Sequence, residues 1–342
     1  MIISELNKRR IHNFKANKRG YYSLIIFLTM FILSLLAEFI ANDQPVLVKY
    51  KNSYYSPIVK TYPETIFGGS FETPANYRDP FISEEIKKNG WMLWPLIGFS
   101  YETINFDLQG SHPAPPNAQN WLGTDDRGRD VLARVIYGFR LCVLFGFALA
   151  IVSSVVGVSA GVLQGYFGGL IDLVFQRILE IWSSVPTLFL LLILASIIEP
   201  TFWILLFFTL LFSWMSLVGV VRAEVLKVRN FDYIMAAKSL GVSEWKIMLR
   251  HILPNSLTST ITFLPFIISG AITTLTSLDF LGLGMPSTSP SLGEILSQGK
   301  SNLQAPWLGL TGFFVVGSIL TLLIFIGEAA RDAFSPNKLF RN

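Results

Sequence analysis

Met235-Ala-Ala-Lys-Ser-Leu-Gly-Val-Ser-Glu-Trp-Lys-Ile-Met-Leu-Arg-His-Ile-Leu-Pro254 is a polar island between two long apolar runs, Trp203 to Val221 and Leu257 to Leu278. Ala236 and Ala237 suit a helix that a neighbour approaches closely, Gly241 can supply the left-handed residue that ends it, and Ser243 is placed to cap the next helix. Pro254 marks the point where the chain turns back toward the apolar run that follows. Alone, the segment also reads as a helix-turn-helix whose second helix would enter a DNA groove. The flanks decide against that reading. A duplex would have to lie against lipid headgroups, and the basic footprint of a nucleic-acid binder is missing.

Composition supports a membrane setting. Hydrophobic residues make up 51% of the chain and charged ones 15%, with mean hydropathy +0.50, far from the balance of a soluble domain. The one cysteine, Cys142, lies in an apolar run, so no intrachain disulfide can form and the residue reads as a small packed hydrophobe. Crossing a bilayer core takes about 20 apolar residues. Candidate spans fall near 21–41, 139–163, 182–199, 202–222, 257–279 and 307–327. Lys8, Arg9, Arg10, Lys15, Lys18 and Arg19 precede the first span, which places the amino terminus in the cytoplasm, and the carboxy terminus follows it to the same side. The island carries Arg222, Lys227, Arg229, Lys238, Lys246 and Arg250, so its charge independently argues for the same face. The first span exceeds the 7–15 residues of a signal-peptide core and reads as an uncleaved anchor. Ile11 and Phe14 among the preceding lysines fit either a short amphipathic turn or a basic tail.

The expected organisation is a basic amino-terminal segment (1–20), a first transmembrane helix (21–41), an extracytoplasmic insertion (42–136), a five-helix core (137–334) containing a cytoplasmic coupling segment (223–255), and a cytoplasmic tail (335–342). The insertion is rich in proline, from Pro45 to Pro116, and in aromatics such as Tyr54, Trp91 and Trp94, which predicts extended, turn-rich structure packed together or lying along the membrane interface. Gly157, Gly161 and Gly165 recur every four residues and give a smooth helix face for close packing. Pro186 and Pro265 interrupt helices in or near lipid, either bordering a translocation path or as packing kinks. Thr262, Ser269, Thr273 and Thr276 (or Ser277) share one helical face and are candidate pore-lining residues, although such hydroxyls also bond to their own i−4 carbonyl.

Enzymatic chemistry finds no support in the residues. Gly293 to Ser301 resembles a phosphate-binding loop, but five residues separate Gly293 from Gly299 where that motif needs four. His12, His112 and His251 lack ligand spacing, so no metal is expected, and no serine-nucleophile elbow occurs. The middles of the second to sixth spans hold no charge, which weakens an ion-gradient-driven secondary transporter, the alternative reading. What remains is a passive conduit that takes its energy from elsewhere.

In these residues the chain resembles the permease subunits of binding-protein-dependent ABC importers of the dipeptide and oligopeptide class. The cytoplasmic signature of that superfamily is Glu-Ala-Ala, three residues, Gly, nine residues and Ile-x-Leu-Pro. It is matched by Ala236, Ala237, Gly241, Leu253 and Pro254, with Met235 in place of the glutamate and His251 in place of the isoleucine. Trp121 to Gly138, Gly165 to Gly169, Ser277 to Gly284 and Ala305-Pro-Trp307 are similar to the peptide-permease pattern. The long insertion, Asn120 to Asp125 and Asn302 to Trp307 are most similar to the permease of the microcin C type. The resemblance implies an all-α integral membrane protein with six transmembrane helices, the type I importer permease fold, in the bacterial inner membrane. It implies no ATPase of its own and no cofactor. A second homologous permease, two ABC ATPase subunits, a periplasmic peptide-binding protein, the peptide itself and membrane lipid are the implied partners, and the helix near Phe231 to Leu240 is the implied ATPase-coupling element.

Overall fold

The computed structural model describes residues 5–106, 108 and 111–334; the tail expected at 335–342 lies outside the described residues. Its helices are α1 (Glu5–Ala16), α2 (Lys18–Leu35), α3 (Ala37–Ile40), α4 (Pro80–Asn89), α5 (Val131–Phe167), α6 (Gly169–Ser183) and α7 (Thr187–Ile197). They continue as α8 (Phe202–Ser213), α9 (Met215–Val228), α10 (Asp232–Ser239), α11 (Glu244–Ile247), α12 (Leu253–Phe280), α13 (Leu292–Ser301) and α14 (Pro306–Phe334). Three strands, β1 (Leu47–Tyr50), β2 (Ser53–Tyr55) and β3 (Gly90–Leu93), lie in the insertion.

Among the described residues, five helical stretches are long and apolar enough to cross a membrane: Lys18–Leu35, Val131–Phe167, Phe202–Val228, Glu244–Phe280 and Pro306–Phe334. The span expected at 182–199 is instead a pair, α6 and α7, bent by 56°. Pro186 stands at this break as the residue before α7, where its missing N–H costs nothing. Pro265 differs from expectation, because α12 runs through it without ending. The chain divides into two units, residues 1–29, 142–286 and 316–342, and residues 30–141 and 287–315.

Within the first unit, the glycine face of α5 meets α9. A Cβ built at Gly157, Gly161 or Gly165 would lie 2.6 Å from the Trp214 carbonyl oxygen, 2.8 Å from Val221 Cβ and 2.8 Å from Val225 Cβ, respectively. Only residues without a Cβ permit that approach, so the four-residue spacing read from the sequence sets the contact between these helices. Arg222 of α9 clamps Asp172 of α6 with both Nε and Nη2 at 2.6 Å, the two-pronged geometry that makes arginine–carboxylate pairs strong. Arg229 donates to the carbonyls of Gly165 and Tyr166, which lack helical partners at the end of α5. The amino-terminal basic segment folds as α1, so the helical reading of Ile11 and Phe14 holds over the disordered tail.

The second unit corrects the all-α expectation. β1 pairs antiparallel with β2 and β3 in the order β2-β1-β3, with Val48 opposite Tyr55 and Met92. The sheet buries Val48, Tyr50, Phe67, Tyr77, Ile82 and Ile86. Proline excluded long helices here, as expected, but the alternating residues of β1, half-buried Leu47 and Lys49 and buried Val48 and Tyr50, carry a strand period instead. Burial pushes the Tyr77 phenol above its ordinary value. α4 begins where Asp79 accepts from the Phe81 and Ile82 amides and Pro80 occupies the first turn, a strong start signal.

The same unit holds a buried ion cluster that pattern reading missed. Arg129 donates from its side chain to Asp125 (2.7 Å), to the Ser287 carbonyl (2.6 Å) and to Glu294 (3.2 Å). Arg134, fully buried, reaches Glu294 (2.5 Å) and the carbonyls of Tyr101 (3.1 Å) and Ser289 (3.0 Å). Burial pushes the Glu294 carboxyl above the usual range, against the pull of Arg134 and Arg129. Asp130, just before α5, accepts from the Ala133 amide (2.7 Å) and Asn120 (2.8 Å); burial raises its carboxyl while these bonds lower it. The stretch that resembled a phosphate loop is α13, whose amides past the first turn serve the helix and whose Glu294 serves this cluster.

Two stability outcomes follow. Gly161→Val should destabilise the detergent-solubilised protein by about 1–3 kcal/mol, read as a lower thermal midpoint, whereas Gly219→Ala, with nothing within 4 Å of its Cβ, should not lower it. Glu294→Ala should cost roughly 3–5 kcal/mol by leaving buried guanidinium uncompensated, and Glu294→Gln should cost less; equal midpoints for all three forms would show that the cluster carries no net stabilisation.

Candidate functional site

The polar island folds as a short helix seated on a hydrophobic base. α10 buries Ile234 in a cluster with Val221, Val225, Val228, Ile247, Met248 and Ile252. Its end closes as expected: Gly241, at φ 75°, donates its amide to the Lys238 carbonyl (3.0 Å), and Val242 donates to Ala237 (3.1 Å). This paired arrangement is the left-handed helix stop, with the accompanying apolar contact supplied by Ala237 and Val242 on the same cluster. Ala236 faces outward, whereas Ala237 is half-buried. On the outer side Phe231, Tyr233, Met235, Leu240, Trp245 and Leu249 are all exposed, Leu240 at 83%. Exposed apolar residues this closely grouped mark a contact surface.

Two local expectations change. Ser243 occupies the cap position before α11, but its side chain makes no capping bond; its carbonyl accepts from Ile247 instead (3.0 Å). Pro254 does not turn the chain. A π turn over Met248–Ile252 widens the helix so that Leu253 donates to the Met248 carbonyl, and Pro254 then sits in the first turn of α12, where an absent N–H is tolerated. Thus Glu244–Phe280 is one helical stretch, which joins α11 of the island to α12 without a break. His251 is half-buried, its ring 6.3 Å from that of Tyr233. Asn255 donates to the His251 carbonyl (2.8 Å) and to the Tyr233 hydroxyl (3.2 Å), tying the start of α12 to α10.

A cavity of about 690 Å³ opens among α5, α7, α8, α9 and α12, lined on α12 by Phe263, Phe266, Gly270, Thr273, Thr274 and Ser277. Of the four hydroxyl residues singled out in the sequence, Thr273 lines it. Thr262 and Thr276 are buried, and Thr262 donates to the Ser259 carbonyl (2.7 Å); Ser269 is half-buried next to the lining face. Ser277, the alternative to Thr276, also lines it, whereas Thr274, Thr187, Ser213 and Ser216 were missed. The available signal was the spacing Gly270, Thr273, Thr274 and Ser277, which forms an i, i+3, i+4, i+7 face. Thr273 and Thr274 donate to the carbonyls of Ser269 and Gly270, both at 2.9 Å. Their lone pairs remain for a passing solute, and no lining residue is charged.

A cavity with no charged residue in its described lining and a core-anchored helix with an outwardly apolar face are the features expected of a transport component driven from outside. Residues 142–339 match the family described as binding-protein-dependent transport system inner membrane component, and the chain belongs to it. It is 58% identical over 336 residues to the inner membrane ABC transporter permease protein YejE of Escherichia coli (strain K12), covering 98% of each chain. Identity is 56% over 362 residues to the peptidoglycan transport system permease protein YejE of Agrobacterium fabrum, covering 99% of this chain and 95% of the relative. The dipeptide transport system permease protein DppC of Haemophilus influenzae is 36% identical over 263 residues, 77% of this chain and 84% of its own. The protein is therefore a multi-pass ABC importer permease, and the ion-gradient alternative is overturned.

Gly241→Val should force a branched side chain into the left-handed region at a cost of about 1–2 kcal/mol and misplace the island. Uptake by the assembled transporter should fall at least tenfold while membrane insertion persists, and Gly241→Asn, which tolerates that region, should retain most activity. Unchanged uptake in Gly241→Val would remove the island from the coupling path.

Proposed function

We propose that this chain is one of two membrane subunits of an ATP-driven importer that carries peptides across the bacterial inner membrane. The observation that carries this reading is the exposed apolar island of α10 and α11 on its buried Ile234 base, in a chain of this family. ATP hydrolysis belongs to two ABC ATPase subunits, one of which receives Met235, Ala236 and Gly241 in a groove, as amphipathic helices dock elsewhere. The helix from Glu244 to Phe280 then transmits ATPase closure to the cavity, because a ligand shifts an equilibrium through its unequal affinity for the two states. Leu253, Pro254 and His251 form the hand-over between island and span.

In this reading α6 and α7 make one broken span, giving six crossings with both termini in the cytoplasm. The insertion at 42–136 lies in the periplasm, where a peptide-binding protein delivers cargo, and a second homologous permease completes the conduit. Thr273, Thr274 and Ser277 offer acceptors to peptide N–H groups without demanding a particular side chain. Oligopeptides and microcin C-like peptides fit that chemistry. A peptidoglycan-derived cargo is the second reading, favoured by the Agrobacterium fabrum relative, a peptidoglycan transport system permease protein.

The full complex with its ATPases and binding protein, reconstituted in vesicles, should concentrate labelled peptide only with ATP inside the ATPase-bearing compartment. Competition by unlabelled oligopeptides against muropeptides ranks the two cargoes. Uphill uptake driven by a proton or sodium gradient with this chain alone would overturn the proposal.

A further inference from the structure

A second cavity, of about 720 Å³, lies between α1, the start of α2, the start of α12 and the end of α14. Its size is in the range of small-molecule sites, about 300–1,000 Å³. Asn7, Arg10 and Lys15 of α1 supply polar groups within a mostly apolar lining, to which Leu24, Leu257 and Ile261 of the two spans contribute. Leu24 is six residues into α2 and Ile261 seven beyond Pro254, so at about 1.5 Å per residue the apolar wall extends roughly 10 Å along each span. A soluble partner cannot follow that wall into the bilayer. Arg10 is held with its guanidinium 4.6 Å over the Phe334 ring, and its Nε is buried without a hydrogen-bond partner among the described residues. An unpaired buried donor on a cation is costly unless an acceptor arrives.

We propose that this cavity binds one anionic phospholipid of the inner leaflet, with its phosphate on Arg10 and Lys15 and an acyl chain along Leu24, Leu257 and Ile261. Charge complementarity favours it: α1 carries Lys8, Arg9, Arg10 and Lys15 against Glu5, and juxtamembrane basic pockets attract anionic headgroups. The ligand would also brace Pro254 and Leu257, the first turn of the helix that continues from the coupling island. The leaflet rests on the cytoplasmic amino terminus proposed above, whereas the binding itself does not.

The test uses the complete transporter, purified and relipidated, with retained lipid counted by native mass spectrometry. Phosphatidylglycerol should be retained by the wild type and phosphatidylcholine should not. Arg10→Gln with Lys15→Gln, and separately Ile261→Trp, should each weaken phosphatidylglycerol binding at least tenfold while leaving the thermal midpoint in phosphatidylcholine bilayers unchanged. Glycerol phosphate at matched concentration should not compete, because it lacks the chain. Equal retention of phosphatidylglycerol by wild type and both variants, equal retention of phosphatidylcholine, or displacement by glycerol phosphate would each overturn the lipid site. Since the readout is binding, failure of uptake in the transport assay would leave this result standing and would count against the function alone.

Discussion

The burial of Ile234 against α9 and the helical stretch from Glu244 is the constraint on which the rest of the first unit depends. α10 has eight residues, too few to be a stable helix alone. It exists as a helix because Ile234 joins a cluster that includes Val221, Val225, Ile247, Met248 and Ile252, and because Gly241 closes its end. That cluster also takes in Val158, Val162 and Tyr166 of α5, which reach it only through the glycine face at 157, 161 and 165. Packing between spans thereby sets where the polar island stands.

The π turn gives the same segment its connection. With an ordinary helical turn, Pro254 would clash with the carbonyl four residues earlier and kink the chain. Widening the turn at Met248–Ile252 removes the clash while keeping the helix continuous. A joint of this kind connects α11 to α12 without a loop, while α10 meets α11 through the turn at Gly241. The tie from Asn255 to Tyr233 and to the His251 carbonyl closes the joint on its outer side.

What could be read in the sequence was whatever depends on neighbours within a few residues. Gly241 as a helix stop and the Gly157, Gly161, Gly165 face were legible because a missing Cβ has a local meaning. The hydroxyl stripe was legible as a stripe, but its rotation was not: Thr276 and Ser277 differ by one position, about 100° around the helix, and only packing selects which meets the cavity. Ser243 looked like a cap, yet its carbonyl rather than its hydroxyl does the bonding. The ion cluster was hidden for a different reason. Asp125, Arg129 and Arg134 are local, but Glu294 lies far along the chain, and no short-range pattern announces a partner at that separation. The sheet of the insertion was missed because its strands are only three or four residues long.

The chemistry of the cavity lined by Thr273, Thr274 and Ser277 fits a protein that takes its work from outside. A site that coupled transport to an ion would hold a charge able to bind and release it near the middle of the membrane. This lining offers none. On α12, Thr273 and Thr274 donate to carbonyls one turn back, so these two hydroxyls present acceptors of fixed position. A wall of this kind, apolar with a few neutral hydroxyls among the described residues, has no charge by which to bias the passage of a solute. The helical stretch from Glu244 to Phe280 joins that wall to the exposed island, so in the proposed importer direction would come from changes in the shape of the cavity.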